Sequence, residues 1–550
     1  MVGVPGRNET RPICQRCTKS RLKCLGYERP TIWRKYIHTD TPPVTGGLVT
    51  PKSNPQRTIS PNLSPPPELG LIAFQWDVYG ARIFDNFIWR SYGAGWLDRA
   101  AQGELDILSL DAVKAFSQFS FGQSNRILDI QIEGRTRYGR CLRLLRDKLE
   151  KGAATADSGQ LLVPPILVLL MVASIQADRT AAEYHLGAIR NVLKMCGPEA
   201  FQQQSLRHSF EAARATLLIV SLFARRRLFL EGPRWQTVPW LLDPASKQPQ
   251  SHVLDIFVTI PGLLEEERYV SEEDTFLLND FVDSMPTPGR QNPRRVALCS
   301  SIAAQLEKLY HWRWNWQREN GQYVAIDYES SWQPDDPAWN LLRKFGKNRR
   351  LARLRFDRPV YANDVMLYNA ALMWLLALLW KVEPCRAGVV ITNCARRATP
   401  TPEFPAPSSF SPLLERPGAA LSIRVPAVEV CLAYDWLSRH HHPCSATEDQ
   451  MCLYLFPLGM ARSVLGTDPD GRDWIAAMLD SSPVTRGYGA ASCSSVAGFA
   501  AYITENALRP DFKGAATVSE DIVAGEYAGS SRLTISDPIS KGSFKRAVEC

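Results

Sequence analysis

Arg137-Tyr-Gly-Arg-Cys-Leu-Arg-Leu-Leu-Arg-Asp-Lys-Leu149 decides the fold class of this 550-residue chain. Its apolar residues Tyr138, Leu142, Leu145 and Leu149 recur at spacings of four, three and four, which places them on one stripe of an α-helix with arginines on the other face. A stripe of that kind needs a covering surface, and the neighbouring segments supply helices of the same type. Leu161 to Ile175 is a long, mostly apolar run with Pro164 and Pro165 inside it, and Tyr184 to Cys196 ends at Gly197, a residue suited to close a helix. Short connections between such segments favour helix on helix, so an all-α architecture is expected.

Outward from these helices the chain divides by composition. Aromatic-rich helical segments begin near Phe74, with Phe74-Gln-Trp76 and Phe84-Asp-Asn-Phe87-Ile-Trp89. A hydrophobic content of 45% supports a large buried core in residues 73–509. Within that body, residues 395–418 are rich in Pro, Ser and Thr and are expected to form a surface loop. Residues 38–70 hold eight prolines among Ser, Thr and Gly, a composition that buries too little apolar surface to fold, so residues 37–72 read as a disordered linker. The small, polar residues 510–550 read as a flexible tail. Neither Leu161 to Ile175 nor Ala370 to Trp380 reaches the roughly 18 apolar residues of a membrane span, so buried helices are expected and no membrane partner. Thirteen scattered cysteines lack the density of a disulfide scaffold, and no apolar leader opens the chain, so a reducing compartment is expected.

Ahead of the linker stands Cys14-Gln-Arg-Cys17-Thr-Lys-Ser-Arg-Leu-Lys-Cys24. Three thiolates at this spacing suit zinc, which prefers a tetrahedral sulphur site, although they are one ligand short of four. Residues 1–36 carry nine Lys and Arg against Glu9 and Glu28, a net +7 of the chain's +8. A basic, metal-binding knuckle before a nearly neutral body is the footprint of a nucleic-acid contact, in which Arg16, Lys19, Arg21 and Lys23 neutralise phosphates. The alternative is a solvated basic tail with incidental cysteines.

Residues 9–29, Glu9-Thr-Arg-Pro-Ile-Cys14 through Glu28-Arg29, resemble the second half of the fungal six-cysteine binuclear zinc cluster. The resemblance implies that Cys14 bridges two zinc ions and that Cys17 and Cys24 are terminal ligands. The first half, whose short basic helix reads base edges in that family, is absent from these residues. The body adds to the resemblance with the helical regulatory region of the same fungal transcription factors. Its best stretch is Leu222 to Glu265, with Arg225-Arg-Arg-Leu-Phe-Leu-Glu-Gly-Pro-Arg-Trp235, Pro239-Trp240, Leu254-Asp-Ile and Ile260-Pro-Gly-Leu-Leu-Glu265 in order. His185-Leu-Gly-Ala188, Leu309-Tyr-His-Trp312-Arg-Trp314-Asn-Trp316 and Tyr454-Leu-Phe-Pro457 extend it. The resemblance implies a nuclear transcription regulator that binds promoter DNA at CGG-type half-sites through zinc-held helices. It further implies control of a metabolic gene set, such as a secondary-metabolite cluster, with transcription machinery or a small-molecule effector as further partners. No apolar heptad survives between the linker prolines, so a coiled-coil dimer is not expected there.

Two rival expectations stand beside this one: a regulator that does not itself bind DNA specifically, and a helical enzyme or ligand-binding protein with a chance cysteine knuckle. The chain holds no Gly-x-Ser-x-Gly elbow, no Gly-x-x-x-x-Gly-Lys loop and no His-Glu-x-x-His, so no enzyme is expected, although scattered Ser, His and Asp leave assembly in space open. His440-His-His-Pro-Cys444 suits a metal by residue type but has no ligand-setting spacing, and a surface loop is expected. The basic run Lys344 to Arg355 is expected to be a solvated helix face, because Leu351 and Leu354 interrupt it at helical spacing, and Arg225-Arg226-Arg227 is read with the same caution. Trp312, Trp314 and Trp316 mimic a base-stacking platform but are expected to anchor core packing.

Overall fold

The computed structural model describes residues 76, 78–81, 94–150, 159–176, 178–280, 292–327, 332, 336–345, 353–399, 414–440, 455–480 and 503. These are overwhelmingly helical, with two short strands among the described residues, which makes the body all-α as its periodicity indicates. The first half comprises α1 (Ala94–Gln102), α2 (Ile107–Asn125), α3 (Leu128–Glu150), α4 (Val163–Ile175), α5 (Arg179–Cys196), α6 (Gln204–Ala224), the short α7 (Pro233–Thr237) and α8 (Pro249–Phe257). The second half comprises α9 (Ile260–Asp280), α10 (Pro293–Asn320), β1 (Val324–Asp327), α11 (Pro337–Phe345), β2 (Arg353–Phe356), α12 (Pro359–Val382), α13 (Ala387–Ala398), α14 (Arg424–His440), α15 (Leu455–Leu465) and α16 (Pro469–Asp480).

Local chemistry sets many of these boundaries. Pro249, Pro293 and Pro359 occupy the first positions of α8, α10 and α12, where a missing N–H costs nothing. Asp178 caps α5 by accepting from the Ala181 N–H at 3.0 Å, and Gly197 follows the helix at a φ of 73°. Pro164 and Pro165 start α4 rather than interrupt it.

One helix organises the packing. α12 is buried on every side, with Val365 to Trp380 walled in by α8, α9, α10, α14 and α15. It is long and apolar enough to cross a membrane by length and composition, with a mean hydropathy of 1.7 over its best window, and that window is 89% buried inside the body. Protein takes the place of lipid around it, each buried Leu or Met contributing about 1.5–3 kcal/mol of transfer free energy. The helix is therefore longer than the apolar run Ala370 to Trp380 indicates, because polar Asn363, Asp364 and Asn369 lie inside it.

Three expectations about the body change. The stripe on α3 is shifted: Gly134, Cys141 and Leu145 are buried and Tyr138 is half-buried, whereas Leu142 and Leu149 are 37% and 38% exposed. The end of the basic run Lys344 to Arg355 is not a helix face, because Arg353–Phe356 forms a strand paired antiparallel with Val324–Asp327, in the register Val324↔Phe356 to Asp327↔Arg353. Of the loop expected at 395–418, residues 395–398 belong to α13, and residues 400–413 lie outside the described residues. The three tryptophans behave as expected. Trp314 and Trp316 are buried, and Trp312 stacks on Tyr368 at 5.7 Å while its Nε1 donates to the Pro249 carbonyl at 3.0 Å.

Candidate functional site

Cys14, Cys17 and Cys24, with Arg16, Lys19, Arg21 and Lys23, lie outside the described residues, as do His441, His442 and Cys444 beyond the end of α14. Among the described residues no group of three or more His, Cys, Asp or Glu is arranged to hold a metal. The described cysteines are free thiols, and burial pushes Cys141 up to about 11 and raises Cys196, Cys299, Cys394 and Cys431 as well. None of those five is poised as a thiolate nucleophile. Arg227, from the basic triplet, is engaged by Glu231 and Glu266, and its N–H donates to Glu265 at 3.3 Å.

The concave site in the body lies where α6, α8 and α12 meet, under the turn of residues 240–248. On α6, Gln204, Arg207, His208 and Glu211 fall at positions i, i+3, i+4 and i+7 and so face the cleft together. Pro249, Gln250 and Ser251 reach it from the first turn of α8, and Val360 and Asp364, one turn apart, from the start of α12. Exposed Gln204 and Gln248 stand at the mouth, while Glu211, Gln250, Ser251 and Asp364 are buried behind them. The enclosed space is about 50 Å³.

A charged network makes one wall rigid. Arg214, fully buried, donates from Nη2 to Glu211 and to the Ser251 carbonyl, both at 3.0 Å, and from Nη1 to Asp255 at 2.7 Å. Ser251 Oγ donates to the other Glu211 oxygen at 2.7 Å. Lys247 pairs with Asp255 and lies over the Trp240 ring at 4.4 Å, with the Arg214 guanidinium 5.2 Å from the same ring. Burial, only partly offset by Asp255, lowers Lys247 from the ordinary lysine value.

The opposite wall is held differently. Asp364 is 2% exposed, and its Oδ2 accepts from Trp316 Nε1 at 2.9 Å. The adjacent Gln250, which is 3% exposed, hydrogen-bonds the same carboxyl through its side chain. Burial pushes Asp364 up to about 7, against the opposing pull of Trp316, Gln250 and the Arg313 guanidinium. The cleft thus joins a buried ion network centred on Arg214 to a buried acid held by an indole and an amide.

None of these residues stands out as a site in the sequence. The usable signals are the polar stripe of α6 at helical spacing and a carboxylate within the run that becomes the most buried helix. Compared with known protein families, with curated proteins and with solved structures, the chain matches none.

Proposed function

We propose that the chain is a nuclear transcription regulator of the fungal zinc-cluster class, in which a zinc-held basic module engages promoter DNA and the helical body is the regulatory region. The observation that carries this reading is the Cys14-x2-Cys17-x6-Cys24 spacing inside residues 1–36, which hold +7 of the chain's +8. Soft thiolates at this spacing select zinc, and the crowded cations beside them suit a polyphosphate backbone. The predominantly helical body is consistent with the reading, and several of its motif residues are built into the packing. Trp240 and Leu254 enter the core, Asp255 binds Arg214, and buried His185 meets the Tyr138 hydroxyl at 2.8 Å.

Three cysteines supply three of the four ligands that a closed zinc site requires, so metal content and base preference test the reading separately. The full chain is purified without chelator, its zinc is counted by mass spectrometry, and it is titrated against duplexes with and without paired CGG half-sites at fixed salt. Bound zinc that is lost in the triple Cys14, Cys17 and Cys24 to Ser variant, together with a preference for the CGG duplex, is the expected result. Zinc-free protein with equal affinity for both duplexes would end the proposal. Zinc retained without preference leaves the rival, a regulator positioned on DNA by a partner.

A further inference from the structure

We propose that the exposed face of α3 is an interface with a second copy of this chain, the two α3 helices packing antiparallel about a twofold axis near residues 136–137. The inference rests on the helical body alone and is tested independently of the zinc-cluster reading.

α3 packs against α2 on the side that buries Gly134, Cys141 and Leu145, and its other side faces solvent. Along that side run Leu128, Ile132, Leu142 and Leu149, which fall within about 100° of arc at 3.6 residues per turn. Leu128 and Ile132 are 63% and 50% exposed, and Leu142 and Leu149 more than a third. Such a row on one helix face marks a surface that another protein covers. Gly139 lies in the same row, and a Cβ there would meet nothing within 4 Å, so a second helix can come close at its middle.

The charges beside this row choose the partner. Arg126 stands at the entry to α3, Asp129 and Glu133 in its first two turns, and Arg140, Arg143 and Asp147 beyond its middle, all six of them exposed. The ion pairs of α3, Arg137 with Asp111, Lys148 with Asp106 and Arg146 with Glu150, use none of the six, and Glu133 accepts only from the Gln118 amide at 2.9 Å among the described residues. Reversing the helix about residues 136–137 sets Arg126 opposite Asp147, Asp129 opposite Arg143 and Glu133 opposite Arg140. Every charge then meets its opposite twice over, as a twofold interface requires, and Ile132 falls opposite Leu142. A parallel pairing would set each charge beside its own kind, and a partner of a single sign would meet either the acids or the arginines with like charge. Exposed ion pairs fix register and partner more than affinity, so the apolar row supplies the attraction and the dimer forms in the micromolar range.

The test is sedimentation velocity on the full chain over a micromolar concentration series, with two charge-reversed variants. Arg140→Glu with Arg143→Glu makes the charged edge mainly acidic, and Asp129→Arg with Glu133→Arg makes it mainly basic. Each variant alone is expected to dimerise about tenfold more weakly than the wild type, or less still. Mixing the two restores every pairing across the interface and is expected to recover the dimer. Because the four residues are exposed, folding is expected to be kept, and circular dichroism of each variant checks it. A wild type that stays monomeric leaves the face to some other protein and overturns the proposal. A dimer that survives at full strength in either variant places the contact elsewhere and overturns it as well, and so does a mixture that fails to recover the dimer.

Discussion

Asp364 holds a proton in the folded chain over a range in which the same side chain in water has lost it. Between the ordinary 3.8 and the folded value of about 7 the native state binds more protons than the unfolded chain, so stability falls as pH rises through that window and is level above it. Complete burial leaves no solvent to screen the effect, and a displacement of this size corresponds to about 4 kcal/mol. Asp364→Asn removes the titration while keeping an acceptor for Trp316. The variant is therefore expected to exceed the wild type in urea stability at about pH 8, with the advantage vanishing toward about pH 4. His185, lowered to about 4 by burial, acts in the opposite sense, since stability is lost as pH falls from 6.5 through that value. Because His185 is common to both proteins, the difference between the two pH profiles isolates Asp364. Parallel profiles would show that the carboxyl does not titrate there. A carboxylate four residues after Val360, in a run that continues Val365-Met366-Leu367, is one of two traces of this site in the sequence, beside the polar stripe of α6. It escapes a motif search because its partners, Trp316 and Gln250, come from other helices.

At the scale of the element, α3 shows what periodicity reads well and what it misreads. The helix is correct, and Leu145 and Tyr138 face inward, but the stripe that decides packing runs through Gly134 and Cys141. Its cause is the closeness of α2. A Cβ on Gly134 would stand 2.7 Å from the Phe119 backbone nitrogen, so only glycine permits that approach, and the helix is rotated to bring it there. Large side chains dominate a hydrophobic pattern read from sequence, whereas the contact here is set by small ones, leaving Leu142 and Leu149 at the edge. Leu145→Ala is expected to destabilise by about 2–3 kcal/mol and Leu142→Ala by about 0.5 kcal/mol or less, read as shifts of the urea midpoint. Gly134→Ala is expected to destabilise despite its higher helix propensity. Equal effects at Leu142 and Leu145 would restore the original stripe. The strand Arg353–Phe356 was hidden for a different reason. Its partner Val324–Asp327 lies across α11, and four residues that alternate cannot be told from a helix fragment until the partner is known.

For the whole molecule, charge and core divide the chain into two kinds of material. Residues 1–36 carry +7, which leaves +1 on the other residues out of +8. The helical body, built around α12, directs its buried cations inward. Arg214 is paired with Glu211 and Asp255, Arg313 donates to Glu429 at 2.9 Å, and Lys381 lies 2.8 Å from Glu267. Cations engaged in this way are not available to phosphates, so DNA affinity in the proposed regulator belongs to the basic N-terminal stretch. Each phosphate neutralised contributes about 0.9 to the slope of log affinity against log salt on duplex DNA. Replacing Arg16, Lys19, Arg21 and Lys23 together by Ala in the full chain is expected to flatten that slope by about 3 to 4. Replacing Arg225 and Arg226 in the body is expected to leave it unchanged. The slope is measured by fluorescence anisotropy on one duplex across a salt series, with circular dichroism confirming that the helical body is intact. A slope that survives the N-terminal substitutions would move the nucleic-acid contact onto the body, and one that disappears places the electrostatic contact with the cysteine stretch.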